Sequence, residues 1–205
     1  MRVTALEPDP RRPGSVRVLV DGRAFATVDA GEASGLAAGG PIDDTRVERL
    51  AKAADAEAAY RTVLRALERR PHARVDLGRR LLRRGLAADA VDAALTRAEQ
   101  AGLLDDAAFA RHYVATRAER GRGPARLIRD LLTRGVARAH IDQAIAEQWP
   151  AGADRRALPA ALATKRAAQL GNLARPVKRR RLLAFLARRG FTGSEALEAV
   201  AGVLR

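Results

Sequence analysis

The chain has 205 residues, enough to bury a substantial core, and its balance of 47% apolar to 30% charged residues is that of a globular protein. It has no cysteine, which excludes a disulfide scaffold and thiolate chemistry, and 3% aromatic residues, which favours packed aliphatic helices over a β-sandwich. The formal charge is +14, and only Lys52, Lys165 and Lys178 among the 38 basic residues are lysine.

The first residues carry acids and prolines where a signal peptide needs an apolar stretch, and no run approaches the roughly 18 apolar residues that span a bilayer. A soluble, cytoplasmic protein is expected. Pro8, Pro10 and Pro13 predict a loose tail over 1–14. Val16, Val18 and Val20 then alternate, Asp21-Gly22 follows, and Ala24–Val28 continues, which predicts a β-hairpin because both turn positions need positive φ. Gly31 to Pro41 reads as loop, and Thr45 with Glu48 reads as a capping box opening a helix through Val47 and Leu50. Residues 15–57 thus form a hairpin and an N-terminal helix.

From residue 58 the pattern is helical and it repeats. With Gly85, Gly135 and Gly190 as anchors, Leu77, Leu127 and Leu182 stand eight residues before, and Leu81, Leu131 and Leu186 four before. Leu86, Val136 and Phe191 follow each anchor directly, then Val91, Ile141 and Ala196 six after and Leu95, Ile145 and Val200 ten after. Two apolar i, i+4 pairs around a glycine stop predict two short helices joined by a tight turn. Pro71, Pro124 and Pro176 stand upstream, suited to helix entry, and a further helix precedes each proline over about 58–69, 106–117 and 158–169. The fold expected is therefore all-α. Three tandem three-helix repeats, 58–104, 105–150 and 155–205, stack into an elongated curved array behind the N-terminal β-hairpin.

The charge is uneven. Residues 1–57 hold eight basic and ten acidic residues, 58–154 hold 18 and 12, and 155–205 hold 12 and two. Between Asp154 and Glu195 there are eleven Lys or Arg and no acid. A one-signed field of this kind attracts polyanions, which points to nucleic acid. Catalytic signatures are missing. There is no GxxxxGK[ST] loop, Gly121-Arg122-Gly123-Pro124 reads as a turn, and His72, His112 and His140 are scattered without an HExxH pattern. Asp105-Asp106 could activate water, but its place before a helix suits an N-cap. Phe109 and Tyr113, one turn apart, fit a core better than a base-stacking platform. No enzyme activity, metal or cofactor is expected.

The middle repeat reads Leu104-Asp105-Asp106-Ala107-Ala108-Phe109-Ala110-Arg111-His112-Tyr113-Val114, then Arg117, Gly121 and Gly123, and Leu127 to Val136. This resembles the central signature of the RecX family, bacterial regulators of the RecA recombinase. The 58–70 helix with Leu77, Leu81 and Gly85 resembles the family's first repeat, and the hairpin with Gly22, Phe25 and Val28 its N-terminal extension. Two departures stand out: Thr164 and Ala168 occupy the third repeat where the middle one has Phe109 and Tyr113, and 72–74 reads His-Ala-Arg where the family often has a basic-serine pattern.

The resemblance implies binding along the RecA–DNA filament, and also to single- and double-stranded DNA alone, by a monomer that restrains filament growth, ATP hydrolysis and strand exchange. Arg175, Lys178, Arg179, Arg180, Arg181, Arg188 and Arg189 are the first candidates to face DNA. Arg79, Arg80, Arg83 and Arg84 in the first repeat come next, with Arg122, Arg126 and Arg129 in the second. A guanidinium suits phosphate because its planar fork donates two parallel hydrogen bonds. Two other readings stay open: a sequence-specific helix-turn-helix reader and an RNA-binding scaffold. Against the first, the residues after each glycine lack a consistent set of base-reading side chains; against the second, aromatics for base stacking are scarce.

Overall fold

The computed structural model describes all 205 residues, in nine helices and one three-stranded antiparallel sheet. The chain divides into two compact units, Met1–Leu104 and Asp105–Arg205.

The first unit opens with strands β1 (Val3–Pro8), β2 (Ser15–Val20) and β3 (Arg23–Asp29), in sheet order β1-β2-β3. The β2–β3 hairpin forms as the sequence dictates, with Asp21 at φ 47 and Gly22 at φ 76 in its turn. The expected loose tail is in part β1. Val3 and Leu6 both pack inward although they are three residues apart, because a register shift between Val3 and Ala5 inserts a bulge. The bulge breaks the two-residue alternation that marks a strand. Thr4 Oγ1 accepts the Gly22 N–H at 2.8 Å, and Pro8 is tolerated at the end of an edge strand.

A single 26-residue helix, α1 (Asp44–Arg69), replaces the two helices expected on either side of residue 57. Its alanine-rich middle, without Gly or Pro, gives the chain no reason to stop. The cap is Asp43, whose carboxylate accepts the Arg46 N–H at 2.7 Å, so the expected Thr45 capping box is displaced by two residues. The first half of α1 lays Leu50 on Val18, Val20 and Val28 of the sheet. The second half packs Ala59 and Val63 on α2 (Arg74–Leu82) and α3 (Ala88–Gln100), burying Leu77, Leu81, Val91 and Leu95.

The second unit holds six helices: α4 (Asp106–Ala118), α5 (Pro124–Thr133), α6 (Arg138–Gln148), α7 (Ala157–Ala168), α8 (Arg175–Arg189) and α9 (Ser194–Val203). The departure noted at Thr164 and Ala168 leaves α7 intact: it buries Ala163 and Ala167 as α4 buries Ala110 and Val114, so Leu162 and Arg166, two residues earlier than expected, stand where Phe109 and Tyr113 do. Asp105 caps α4, accepting the N–H groups of Ala107 at 2.8 Å and Ala108 at 2.9 Å. These bonds, that from Ala108 above all, hold its carboxyl below the usual carboxylate range.

The glycine stops share one geometry. Gly85, Gly135 and Gly190 have φ of 83°, 78° and 96°, and the following N–H of Leu86, Val136 or Phe191 donates back to Leu81, Leu131 or Leu186. Each glycine N–H also donates to the carbonyl three residues earlier, completing the Schellman arrangement. Leu81, Leu131 and Leu186 are fully buried, so one residue anchors the core and closes the turn.

Candidate nucleic-acid interface

On α8 the buried stripe is Leu182 and Leu186, and the basic residues surround it. Arg175, Arg179, Arg180, Arg181 and Arg188 are exposed, and none makes an ion pair; the pair in this repeat joins Arg156 to Glu198 at 2.9 Å. Lys178 is half-buried, its Nζ donating to the Gly171 carbonyl at 3.3 Å. Arg189 is used inside the fold. Its guanidinium lies 5.0 Å from the centre of the Phe185 ring and donates to the carbonyls of Arg120 and Gly121, each at 3.4 Å.

Arg189 marks a seam between the second and third repeats. The C-terminal carbonyls of Arg189 and Gly190 accept the free N–H groups at the start of α5, from Gly123 at 2.7 Å and Ala125 at 3.2 Å. The negative end of α8 thus meets the positive end of α5, and each helix satisfies the other's orphan groups. The approach leaves no room for side chains: a Cβ on Gly123 would sit 2.5 Å from the Gly190 oxygen, and one on Gly190 would strike the backbone nitrogen of Arg126.

In the second repeat Arg122 and Arg129 are exposed, whereas Arg126 is half-buried with its Nε 2.9 Å from the Asp130 carboxylate. Phe109 and Tyr113 are half-buried with ring centres 5.9 Å apart. The Tyr113 ring lies under two guanidiniums, Arg134 at 4.8 Å and Arg117 at 5.4 Å, and its hydroxyl donates to Asp130 at 3.4 Å.

In the first repeat Arg79, Arg83 and Arg84 are exposed and Arg80 is half-buried. Arg80 and Arg84 line one wall of an open cleft of about 510 Å³ between α2 and the end of α1. Arg65, Arg69 and Arg70 line the other wall, and His72 lies between. These three arginines and His72 do not stand out as site residues in the sequence. The glycine offset of 50 would set Val63 opposite Tyr113, and only the buried pairs Ala59/Val63 and Ala110/Val114 show that Thr62 stands where the second repeat has Tyr113. His72 is 4% exposed, and burial first, then Arg70 and Arg80, push its pKa below the ordinary histidine value against the opposing pull of Asp76. The neighbouring Arg74 is tied to Asp92 at 2.7 Å and Glu99 at 3.4 Å.

His112 lies on α4 and His140 on α6, and no group of three or more metal-ligating side chains comes together. No helix is long and apolar enough to cross a membrane.

The fold and these surfaces define a class: a helical-repeat protein with a small N-terminal sheet whose accessible polar chemistry is mainly that of guanidinium groups. Residues 105–145 match the family described as RecX, second three-helix domain. The chain is 42% identical over 90 residues to the regulatory protein RecX of Pseudomonas savastanoi pv. phaseolicola, covering 44% of this chain and 58% of that relative. It is 43% identical over 88 residues to the RecX of Ectopseudomonas mendocina, covering 43% of this chain and 59% of that relative. The matched segment thus spans less than two thirds of the relatives' length. In fold, a crystal structure of regulatory protein RecX superposes with a TM-score of 0.80 at 22% identity, covering 98% of each chain. RecX from Lactobacillus salivarius superposes with a TM-score of 0.61 at 17% identity, over 73% of this chain and 96% of that one. The chain resembles the RecX family in sequence through its middle region and in fold over nearly its whole length.

Proposed function

We propose that this chain is a RecX-type regulatory protein that binds the RecA–DNA filament, and DNA alone, in the cytoplasm. It restrains ATP hydrolysis and strand exchange during recombination and DNA repair, including the SOS response. It acts as a monomer by occupation, without a cofactor or a chemical step of its own. The observation that supports this reading is the joint presence of a RecX-like middle repeat and exposed arginines that no carboxylate of the chain neutralises, Arg179, Arg180, Arg181 and Arg188 foremost.

Guanidiniums left without internal partners gain most from phosphates, where each pairing also releases a condensed counterion. Arg126 and Arg189 are spent on Asp130, Phe185 and the seam, so among the arginines expected to face DNA these two contribute through the fold.

The test is co-sedimentation with RecA assembled on single-stranded DNA in a slowly hydrolysed ATP analogue. The chain should pellet with the filament more strongly than with DNA of the same length alone. Pelleting equal to that on bare DNA would reduce it to a generic polyanion binder.

A further inference from the structure

The three repeats place side chains at equivalent points where their first and second helices meet, and they use that place differently. The buried pairs Ala59/Val63, Ala110/Val114 and Ala163/Ala167 fix the alignment of the first helices, which makes Thr62, Tyr113 and Arg166 equivalent. Counting back from the glycine stops makes Arg80, Asp130 and Phe185 equivalent, and likewise Arg84, Arg134 and Arg189. In the second repeat the Tyr113 ring fills the place, with Arg134 and Arg117 over it and Asp130 on its hydroxyl. In the third a ring arrives from the opposite helix: Phe185 takes Arg189 at 5.0 Å and Arg166 at 5.7 Å. The first repeat has no ring there. Thr62 turns its hydroxyl to the Ala58 carbonyl at 3.0 Å, and the arginine-walled cleft opens instead.

We propose that this cleft is a phosphate-binding site that takes successive phosphodiesters of a nucleic-acid strand. The side chains of Arg69, Arg70, Arg80 and Arg84 make no hydrogen bond or ion pair within the chain, and that of Arg65 reaches only the Thr62 hydroxyl at 3.3 Å. Such a cluster is repulsive until an anion enters, so the fold holds it at a cost that a ligand removes. Arg65 and Arg69 stand one turn apart on α1, about 6 Å along the helix, and across from them Arg80 lies in the last turn of α2 with Arg84 in the glycine turn that follows. Two ranks of cations suit consecutive phosphates better than one ion. The apolar residues beneath, Leu77 and Leu81, are 0% and 1% exposed, so the cleft gives an acidic peptide no leucine side chain to rest on.

The inference rests on the reading of the chain as a DNA binder, and it names the first repeat, not only the arginine-rich C-terminal helix, as an anchoring site. It is tested by fluorescence anisotropy of a labelled oligothymidylate strand against the full chain over a salt series, with an oligoglutamate peptide as competitor. Arg80→Ala/Arg84→Ala should weaken binding about ten-fold or more. It should also reduce the log–log salt slope by about 1.4, at roughly 0.7 for each phosphate that is no longer neutralised. Thr62→Tyr/Arg80→Asp, which rebuilds the second repeat's arrangement, should do the same while melting like the wild type. Full affinity and slope in both variants, with weakened binding only in Arg179→Ala/Arg180→Ala, would overturn the cleft and leave DNA binding intact. No binding by the wild type would overturn the functional reading itself. Displacement of the strand by oligoglutamate at equal charge concentration would overturn the assignment to nucleic acid.

Discussion

The first and third repeats are built on the same glycine stop and the same buried leucines, yet they treat the arginines at one equivalent place, where the first and second helices meet, in opposite ways. In the third repeat Arg166 and Arg189 lie over Phe185, and Arg189 also closes the seam against the second repeat. In the first, Arg80 and Arg84 face three more arginines across an open cleft. A single aromatic ring decides the outcome. Where a ring fills that place, the guanidiniums over it serve cohesion; where none does, Arg80 and Arg84 are left without a partner in the chain. Arginine count alone is therefore a poor guide to which guanidiniums the fold leaves unpartnered.

The contrast can be broken most forcefully at the glycine stops. Gly190→Ala should cost about 3–5 kcal/mol, because its Cβ meets the Arg126 backbone in addition to the left-handed strain at φ 96. Gly85→Ala meets nothing within 4 Å and should cost only about 1–2 kcal/mol. Urea denaturation of both variants checks this, and equal losses would mean that the seam contributes nothing. The rings come next. Phe185→Ala should destabilise by about 2–3 kcal/mol, less than a fully buried phenylalanine because the ring is half-exposed, whereas Thr62→Ala should stay within about 0.5 kcal/mol.

A smaller effect is expected at the entry to the second unit. Asp105→Ala removes the cap on two N–H groups and should cost about 1 kcal/mol at neutral pH. Because the folded state lowers the Asp105 pKa, that contribution is present above the carboxylate's unfolded pKa of about 3.9 and disappears as pH falls through the folded value. The variant and the wild type should therefore converge in stability in strong acid.

The smallest effect sharpens the cleft itself. His72 is buried between Arg70 and Arg80, with Asp76 the opposing acid, and its folded pKa is lowered, so the folded state prefers the neutral ring. Its contribution holds above the unfolded pKa of about 6.5 and is lost as pH falls below it. Acidification from neutrality should lower the melting temperature of the wild type slightly, and that of His72→Gln less. Identical pH profiles would show that the ring does not feel the arginines.

The helical repeat is legible in the sequence because its signal is periodic: leucine pairs and glycines recur at fixed offsets, and each performs the same turn closure. Val3–Pro8 is not, because a bulge removes the alternation that marks a strand. The junction at residue 57 is hidden for a different reason. Alanine-rich sequence allows a helix to continue as readily as to stop, and tertiary packing on both the sheet and α2–α3 chooses continuation. The arginines of α8 are readable as exposed charge from the absence of acids. The cleft is not, since Arg65, Arg69 and Arg70 become a wall only when α2 folds back beside α1. Which guanidiniums are consumed depends on rings that approach from either helix. Arg126 shows the same limit, as its partner Asp130 one turn on is visible in sequence but the half-burial that strengthens the pair is not.

Regulation of a recombinase filament is the central claim, and ATP turnover by RecA on single-stranded DNA reads it most directly. Titrated with the full chain, turnover should fall at well below one molecule per RecA protomer, because a filament-bound regulator acts on many protomers at once. Unchanged turnover under conditions where the chain demonstrably binds the DNA would contradict it.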